Sequence, residues 1–475
     1  MSRVRPALAP LVFALLLFAV SSAVHGGFER RWAKLGGAPG TPAVDAHVAF
    51  ALNEGFNGFF VYSHQAGAWT ARQAPDGPFL TPAFRAFAAR CRERGIPLLV
   101  SINPVADDGG GFVFSETDGE RRILRFVALL RAEGVREIVL SFDDQPTRLT
   151  ELRDVLRYGF PAAPAHLDLT RRVARRLRRD TTLWLCASAY CDRHLGVGST
   201  PYAKAFLSGL KRLPAGVGVV WTGPTVVSPT ITREDLARTR ERLGGRRLLL
   251  YDNYPVDDDP GDALAVPLGP IRGRGPDLHL EAAAYLHCPI SRLGANRLAM
   301  LTVAAWLRDP ARYVPEAAWK RARELLAGSD PAARTALETQ SLEWGAWVDS
   351  RFWSVREREN PETAAAALGD PVALDRWTWV AARYPDRMAA LGAIVDRPFR
   401  DDLLDVMSRR LAVARALPLA EEYRARRAAG RPDASALLDA LDTERAALAA
   451  DPGARAALER TLAHAAIPLR PLKGP

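Results

Sequence analysis

The sequence predicts an α/β fold: a (β/α)8 TIM-type barrel followed by an all-helical C-terminal domain. Three observations carry this prediction. Between residues 23 and 310, eight short apolar runs alternate with longer amphipathic stretches, the rhythm of a closed parallel barrel. From about residue 310 the runs stop, and Ala, Arg, Leu and Glu at helical spacing take over. No glycine-rich dinucleotide fingerprint follows the first run, which argues against a doubly wound open sheet, the alternative built on the same alternation.

Taken in order, the chain opens with MSRVRPALAPLVFALLLFAVSSAVHGG. Two arginines, an apolar stretch and then Ser21-Ser22-Ala23 form the layout of a secretory signal cleaved near Ala23. An uncleaved anchor is the competing reading, because the stretch approaches the length of a membrane span. Residues 1–22 are therefore set apart as signal peptide or N-terminal anchor. A secreted or exported protein is expected, touching a membrane only if the segment is retained.

The barrel is placed at residues 23–310. Its strands are expected at AVHGGF (23–28), NGFFVYS (57–63), IPLLVSI (96–102), VREIVLSF (135–142), TTLWLCAS (181–188), GVGVVWT (216–222), RRLLLYD (246–252) and EAAAYLH (281–287). Most are nearly continuous runs of apolar residues, as strands covered on both faces require. Helices are expected at 82–94, 120–133, 167–178, 202–212 and 233–243, where apolar residues recur at helical spacing. The helical domain is placed at 311–475, with Pro or Gly breaks near 328–331, 360, 369–371, 430–432 and 451–453. Within it, 365–374, 391–395 and 403–417 show the helical period, and Trp344, Trp347, Trp353, Trp377 and Trp379 are read as core rather than as a binding surface.

Composition narrows the function classes. A chain of 475 residues exceeds one ordinary core, and its 48% apolar and 25% charged residues are those of a soluble globular protein. The net charge of +10 invites a nucleic-acid reading, but RRVARRLRR (171–179) is the only dense basic run, and it suits the solvated face of a helix. No aromatic platform is interleaved with it, so nucleic acid is not expected as a partner. The cysteines at 91, 186, 191 and 288 lack CxxC spacing and are read as free or partly paired thiols; neither a metal nor a cofactor is called for.

The chemistry gathers at the strand ends. LSFDDQPTRL (140–149) sets Asp143 and Asp144 side by side just after the fourth run. In isolation such a pair reads as a loop or a helix cap, or as a magnesium site for phosphoryl transfer, although no phosphate loop accompanies it. In a barrel, the C-terminal strand ends build the active site. Those ends also carry Asn57, Tyr62 to Gln65, Asn103, Tyr190, Trp221 to Pro224, Asp252 to Tyr254, Asp257 and Asp258. Carboxylates, amides and rings around one mouth describe a carbohydrate site, since rings stack on sugar C–H faces while polar groups pair the hydroxyls.

SFDDQ, CASAYC, WTGPTVVSPTIT and YDNYPVDD, in that order and spacing, resemble the hallmark segments of glycoside hydrolase family 84, the family of O-GlcNAcases and bacterial β-N-acetylglucosaminidases of hyaluronidase type. The resemblance spans roughly residues 23–325. It implies retaining hydrolysis of N-acetylhexosaminides, in which the substrate's own acetamido oxygen forms an oxazoline, and a glycan or glycoprotein bearing N-acetylglucosamine as substrate. In that scheme Asp143 orients the acetamido group, and Asp144 is the general acid/base. The adjacent carboxyls are expected to titrate apart, leaving one protonated near neutral pH.

The resemblance extends to a set of sugar-binding residues. Tyr190 matches a tyrosine near the acetamido pocket, Asn253 an asparagine bracing that pocket, and Asp258 and Asn296 the partners of the outer hydroxyls. Trp221 lies in the WTGP segment, and Tyr251 stands where tryptophan is usual. GGFERRW (26–32) replaces the usual EGFYGRPW, leaving Gly27 and Phe28 as its matching residues, and Gln65 stands where a sugar-binding lysine is expected. An amide keeps the donor and loses the charge. That loss motivates the alternative, a degenerate barrel that binds N-acetylated sugars without hydrolysing them; a third reading keeps the barrel only as the scaffold of a helical adaptor.

Overall fold

The computed structural model describes residues 27–196, 200–256, 266–345, 371–431 and 435–448, with scattered positions between 455 and 468. The N-terminal segment 1–22 lies outside the described residues. Eight parallel strands close the barrel: Arg31–Lys34 (β1), Gly58–Tyr62 (β2), Leu98–Ile102 (β3), Glu137–Ser141 (β4), Thr182–Cys186 (β5), Gly218–Trp221 (β6), Leu248–Asp252 (β7) and Ala282–His287 (β8). Each pairs with its neighbours in sequence, and β8 closes on β1 with Arg31 opposite Tyr285.

Seven of the eight expected runs hold these strands, and the first needs correction. Of residues 23–28, the described Gly27 and Phe28 are not in a strand; β1 is the later RWAK. Its two ends are charged, so only Trp32 and Ala33 carry the apolar signal that a hydropathy reading follows. The strand forms because its neighbours on both sides complete its ladder, with Trp32 opposite Gly58 and Leu286.

Side chains alternate across each strand. The inward set includes Trp32, Phe60, Leu99, Val139, Trp184, Val220, Leu249 and Leu286, which form one cluster inside the barrel. At the N-terminal end Trp184 and Glu137 close the floor: Trp184 Nε1 donates to the Glu137 carboxylate at 2.9 Å, and Arg30 reaches the same carboxylate at 3.1 Å. Gly218 leaves room for this plug, since a Cβ there would stand 2.3 Å from the Trp184 ring.

Thr-Pro pairs open Pro42–Asn53, Pro82–Glu93 and Pro201–Leu210, proline taking a position whose N–H has no helical partner. Thr81 and Thr200 also accept hydrogen bonds from the first turn. The outward faces of the strands pack on these helices and their counterparts in the main core.

Beyond Arg297–Arg308 the described elements are helices, among them Pro315–Ala327, Pro331–Gly345, Pro371–Leu391 and Arg397–Ala428. They share a second core with Leu268, Ile290 and Leu298. The junction lies on the segment after β8: Asp402 accepts from the backbone N–H groups of Gly294 at 2.7 Å and Ala295 at 3.1 Å, and Arg297 pairs with Asp396 at 2.6 Å. Gly294 is needed there, because a Cβ would meet the Pro398 carbonyl oxygen at 2.0 Å. Trp344 and Trp377 are buried in this core, Trp379 is 41% exposed, and Trp347 and Trp353 lie outside the described residues. All four cysteines are buried thiols outside any disulfide. Among the described residues no helix is long and apolar enough to cross a membrane.

Candidate active site

The ladder of β4 continues one residue past the strand, since Phe142 N–H donates to the Cys186 carbonyl at 2.7 Å and Ser188 Oγ donates to the Phe142 carbonyl at 2.7 Å. The Phe142 ring turns outward and stacks on His166 at 4.0 Å. Asp143 then points inward by the alternation of the pleat, which would send Asp144 outward. Asp144 instead adopts φ 54°, the positive φ among the described non-glycine residues. The chain leaves the pleat there, and both consecutive carboxylates line one cavity. Aspartate is among the few side chains that tolerate this conformation.

The two carboxyls have different surroundings. Asp143 is partly buried and accepts from the Ser141 hydroxyl, whose Cα partner across the ladder is Cys186. Asp144 lies exposed at the rim and accepts from the Tyr190 hydroxyl at 2.7 Å. Tyr190 is placed by its own backbone, its carbonyl accepting from Thr222 N–H at 2.9 Å. Burial pushes the Asp143 carboxyl above the usual aspartate range; the Ser141 hydrogen bond opposes this and the neighbouring Asp144 adds to it. Burial and the bond to Asp144 push the Tyr190 phenol far up, so it stays a neutral donor, and burial likewise keeps the Cys186 thiol protonated.

The cavity holds about 340 Å³, within the range of small-ligand sites. Its floor is apolar, with Leu99, Val139, Val220 and Leu286, and its upper wall is polar, with Tyr62, Ser101, Thr222, Tyr251 and Asn253 beside the two aspartates. Asn253 Nδ2 donates to the Val226 carbonyl at 2.9 Å, fixing the loop that supplies Val226 and Val227 to the wall. Tyr251 reaches Cys288 Sγ at 3.5 Å. Apolar floor and ringed polar wall fit one amphipathic sugar residue.

Asp143, Asp144, Tyr190, Tyr251 and Asn253 thus meet in one cavity, which Gly27, Phe28, Gln65, Trp221 and Asn296 do not line. Phe28 packs in the outer layer against Tyr285 and Trp306, at ring distances of 5.7 and 6.2 Å, and Gly27 precedes β1 at the end opposite the mouth. Gln65 uses its side-chain oxygen to accept from Tyr62 N–H at 3.1 Å, capping the short helix Ser63–Ala66. Trp221 is fully buried in the outer layer, one position out of phase with the inward-facing Val220 and Thr222. Asn296 is 1% exposed and its Nδ2 lies 3.2 Å from His287 Nε2, on the outward side of β8. Asn57 also sits at the far end, holding Arg31 and Glu29 backbone groups. Asp258 lies outside the described residues.

Ser141 and Lys34, both near the mouth, are not among the predicted site residues. Ser141 is found by counting back two from Asp143, the period of a strand. Lys34, the last residue of β1, is in phase with Trp32; its Nζ stands 5.2 Å from the Tyr62 ring centroid and 3.7 Å from Cys288 Sγ. The sequence hides it because the charged ends of RWAK mask the first strand.

A family model described as beta-N-acetylglucosaminidase matches residues 80–341. Proteins named Protein O-GlcNAcase from Rattus norvegicus and Mus musculus are each 28% identical over 220 residues, covering 46% of this chain and 23% of theirs, so the chain spans about a quarter of those relatives' length. A solved mutant of an O-GlcNAc hydrolase from Thermobaculum terrenum shares the fold with a TM-score of 0.61 at 20% identity, over 92% of this chain and 94% of that one. With the barrel closed, the paired aspartates at its mouth and more than half of its length matched, the chain belongs to the β-N-acetylglucosaminidase family of glycoside hydrolases, glycoside hydrolase family 84.

Proposed function

We propose that the protein is a retaining β-N-acetylglucosaminidase that hydrolyses N-acetylglucosaminides with the help of the substrate's own acetamido group. The observation that carries this reading is the pair of consecutive carboxylates in one cavity, one deep and held by Ser141, the other at the rim and held by Tyr190. A carboxylate at Asp143 accepts the acetamido N–H, which drives the carbonyl oxygen onto the anomeric carbon. Asp144 gives its proton to the departing oxygen as the glycosidic bond breaks. The resulting carboxylate takes a proton from water, which attacks the anomeric carbon and opens the oxazoline. Two inversions at that carbon restore the β configuration, as in retaining glycosidases with an enzyme nucleophile. The names of the rat and mouse relatives support a polypeptide aglycone. The N-terminal layout supports an exported protein, read by whether secreted material begins near Ala23.

The test compares an aryl 2-acetamido-2-deoxy-β-glucoside with the matching 2-hydroxy β-glucoside. Turnover of the first alone, with the β-anomer formed initially by NMR, is the expected result. Equal turnover of both would remove the acetamido group from the mechanism, and tight binding without turnover would favour the non-hydrolytic reading.

Asp143 must be ionised to accept the N–H, and burial favours its neutral form, so kcat/KM should fall on the acid side at a pH above the usual aspartate range. The Ser141→Ala variant loses a hydrogen bond that favours the carboxylate. Its acid limb should move to higher pH, leaving the basic limb in place; an acid limb that stays put or moves down would disprove the assignment.

A further inference from the structure

The chain leaving Asp144 forms an anchored excursion over residues 145–162. Its base is a short antiparallel closure: Leu149 N–H donates to the Phe160 carbonyl at 2.8 Å and Ala162 N–H to the Thr147 carbonyl at 2.9 Å. The helix Leu152–Tyr158 turns Asp154 downward, where its carboxylate accepts from the N–H groups of Phe114 at 2.8 Å and Ser115 at 2.7 Å. Tyr158 adds a hydrogen bond to Asp168 at 2.9 Å. The underside is therefore fixed in place.

The upper side is apolar and faces solvent. Leu152 and Leu156, one helical turn apart, are 67% and 79% exposed, and Phe160 beside them is 55% exposed. Single exposed leucines are ordinary; a group of large apolar side chains on a braced support marks an interaction surface. At its edge the exposed Arg148 lays its guanidinium 4.4 Å from the Phe160 ring centroid. The neighbouring Arg153 and Arg157 are engaged with Glu116 and the Ser115 carbonyl.

We propose that this surface docks the polypeptide aglycone of the substrate, a segment carrying apolar side chains and a carboxylate for Arg148. The inference rests on the glycosidase reading above. Asp144 protonates the departing oxygen, so the aglycone lies on the Asp144 side of the cavity, where the excursion begins. From Asp144 to Arg148 the chain spans at most about 14 Å. An extended peptide advances about 3.3 Å per residue, so some five residues beyond the glycosylated serine or threonine reach Phe160. The Arg148 charge selects an acidic neighbour over a basic one.

The experiment uses the full chain with two substrates: an aryl N-acetylglucosaminide, and a peptide bearing β-N-acetylglucosamine on a central serine with leucine and glutamate about five residues to either side. The double variant Leu152→Gln/Leu156→Gln should lower kcat/KM for the peptide about tenfold through KM, while the aryl substrate changes less than about twofold. Arg148→Glu should shift preference toward a peptide with lysine in place of glutamate. Peptide turnover unchanged in both variants would overturn the proposal. Loss of self-association or of binding to anionic lipid vesicles, with peptide turnover intact, would overturn it by giving the surface to a second copy or to a membrane. A wild-type protein that leaves the aryl substrate intact would instead remove the glycosidase reading, and this inference with it.

Discussion

Asp144→Asn is expected to lower kcat for N-acetylglucosaminides with poor leaving groups by about 10²- to 10⁴-fold, the range of a lost general acid. The substitution keeps the shape of the site. Asparagine tolerates the left-handed conformation at φ 54°, and its side-chain oxygen still accepts the Tyr190 hydrogen bond. What disappears is the transferable proton. Aryl glycosides with acidic phenols need that proton less, so their bond-breaking step should suffer less, and a series of leaving groups measured with both proteins separates the role from simple damage. A variant that retains full activity across the series would eliminate Asp144 as the proton donor.

The second large effect is structural. Arg274→Met should lower unfolding free energy by about 3–5 kcal/mol, the usual result of leaving one partner of a buried ion pair alone. The Arg274 and Asp252 side chains are 3% and 1% exposed, joined at 2.5 and 2.9 Å, and Tyr285 donates to the same carboxylate at 3.0 Å. Arg274 also donates to the Pro229 carbonyl at 3.0 Å, and Ile231 pairs with the same segment. The ion pair therefore ties the loop holding Val226 and Val227 to the end of β7 that presents Tyr251 and Asn253. Urea unfolding should show the loss of stability, and kcat/KM should fall with it, while Arg274→Lys, keeping the charge without the planar fork, should recover only part of either. A change below about 1 kcal/mol would mean that water reaches the pair.

How much of this was legible beforehand depended on the kind of signal. Runs such as LLVSI and EIVLS are buried throughout and mostly apolar because both faces of each strand are covered, so composition located them. The same rule hid RWAK, where Lys34 faces the mouth and Arg31 the opposite end. Strand parity carries part of the rest: counting in twos from Asp143 finds Ser141, and the same count separates Thr222 from Trp221 and Asn253 from Asp252. Parity could not have placed Asp144, whose inward turn comes from a backbone conformation rather than from the pleat. Gln65 and Asn296 were misplaced for another reason, since each amide had several partners open to it and the fold supplied Tyr62 N–H to one and His287 to the other.

The sequence by itself determined the barrel, its helical continuation and the aspartate pair at a strand end, because periodicity and strand-end position are local properties written residue by residue. The tertiary structure alone decided which side chains share the cavity, that Asp143 lies deep while Asp144 stands at the rim, and that Arg274 returns to pair with Asp252. Those outcomes depend on distances between segments remote in sequence, and the exclusion of water that raises the Asp143 pKa and makes the Arg274 pair costly to break exists only once those segments have closed around them.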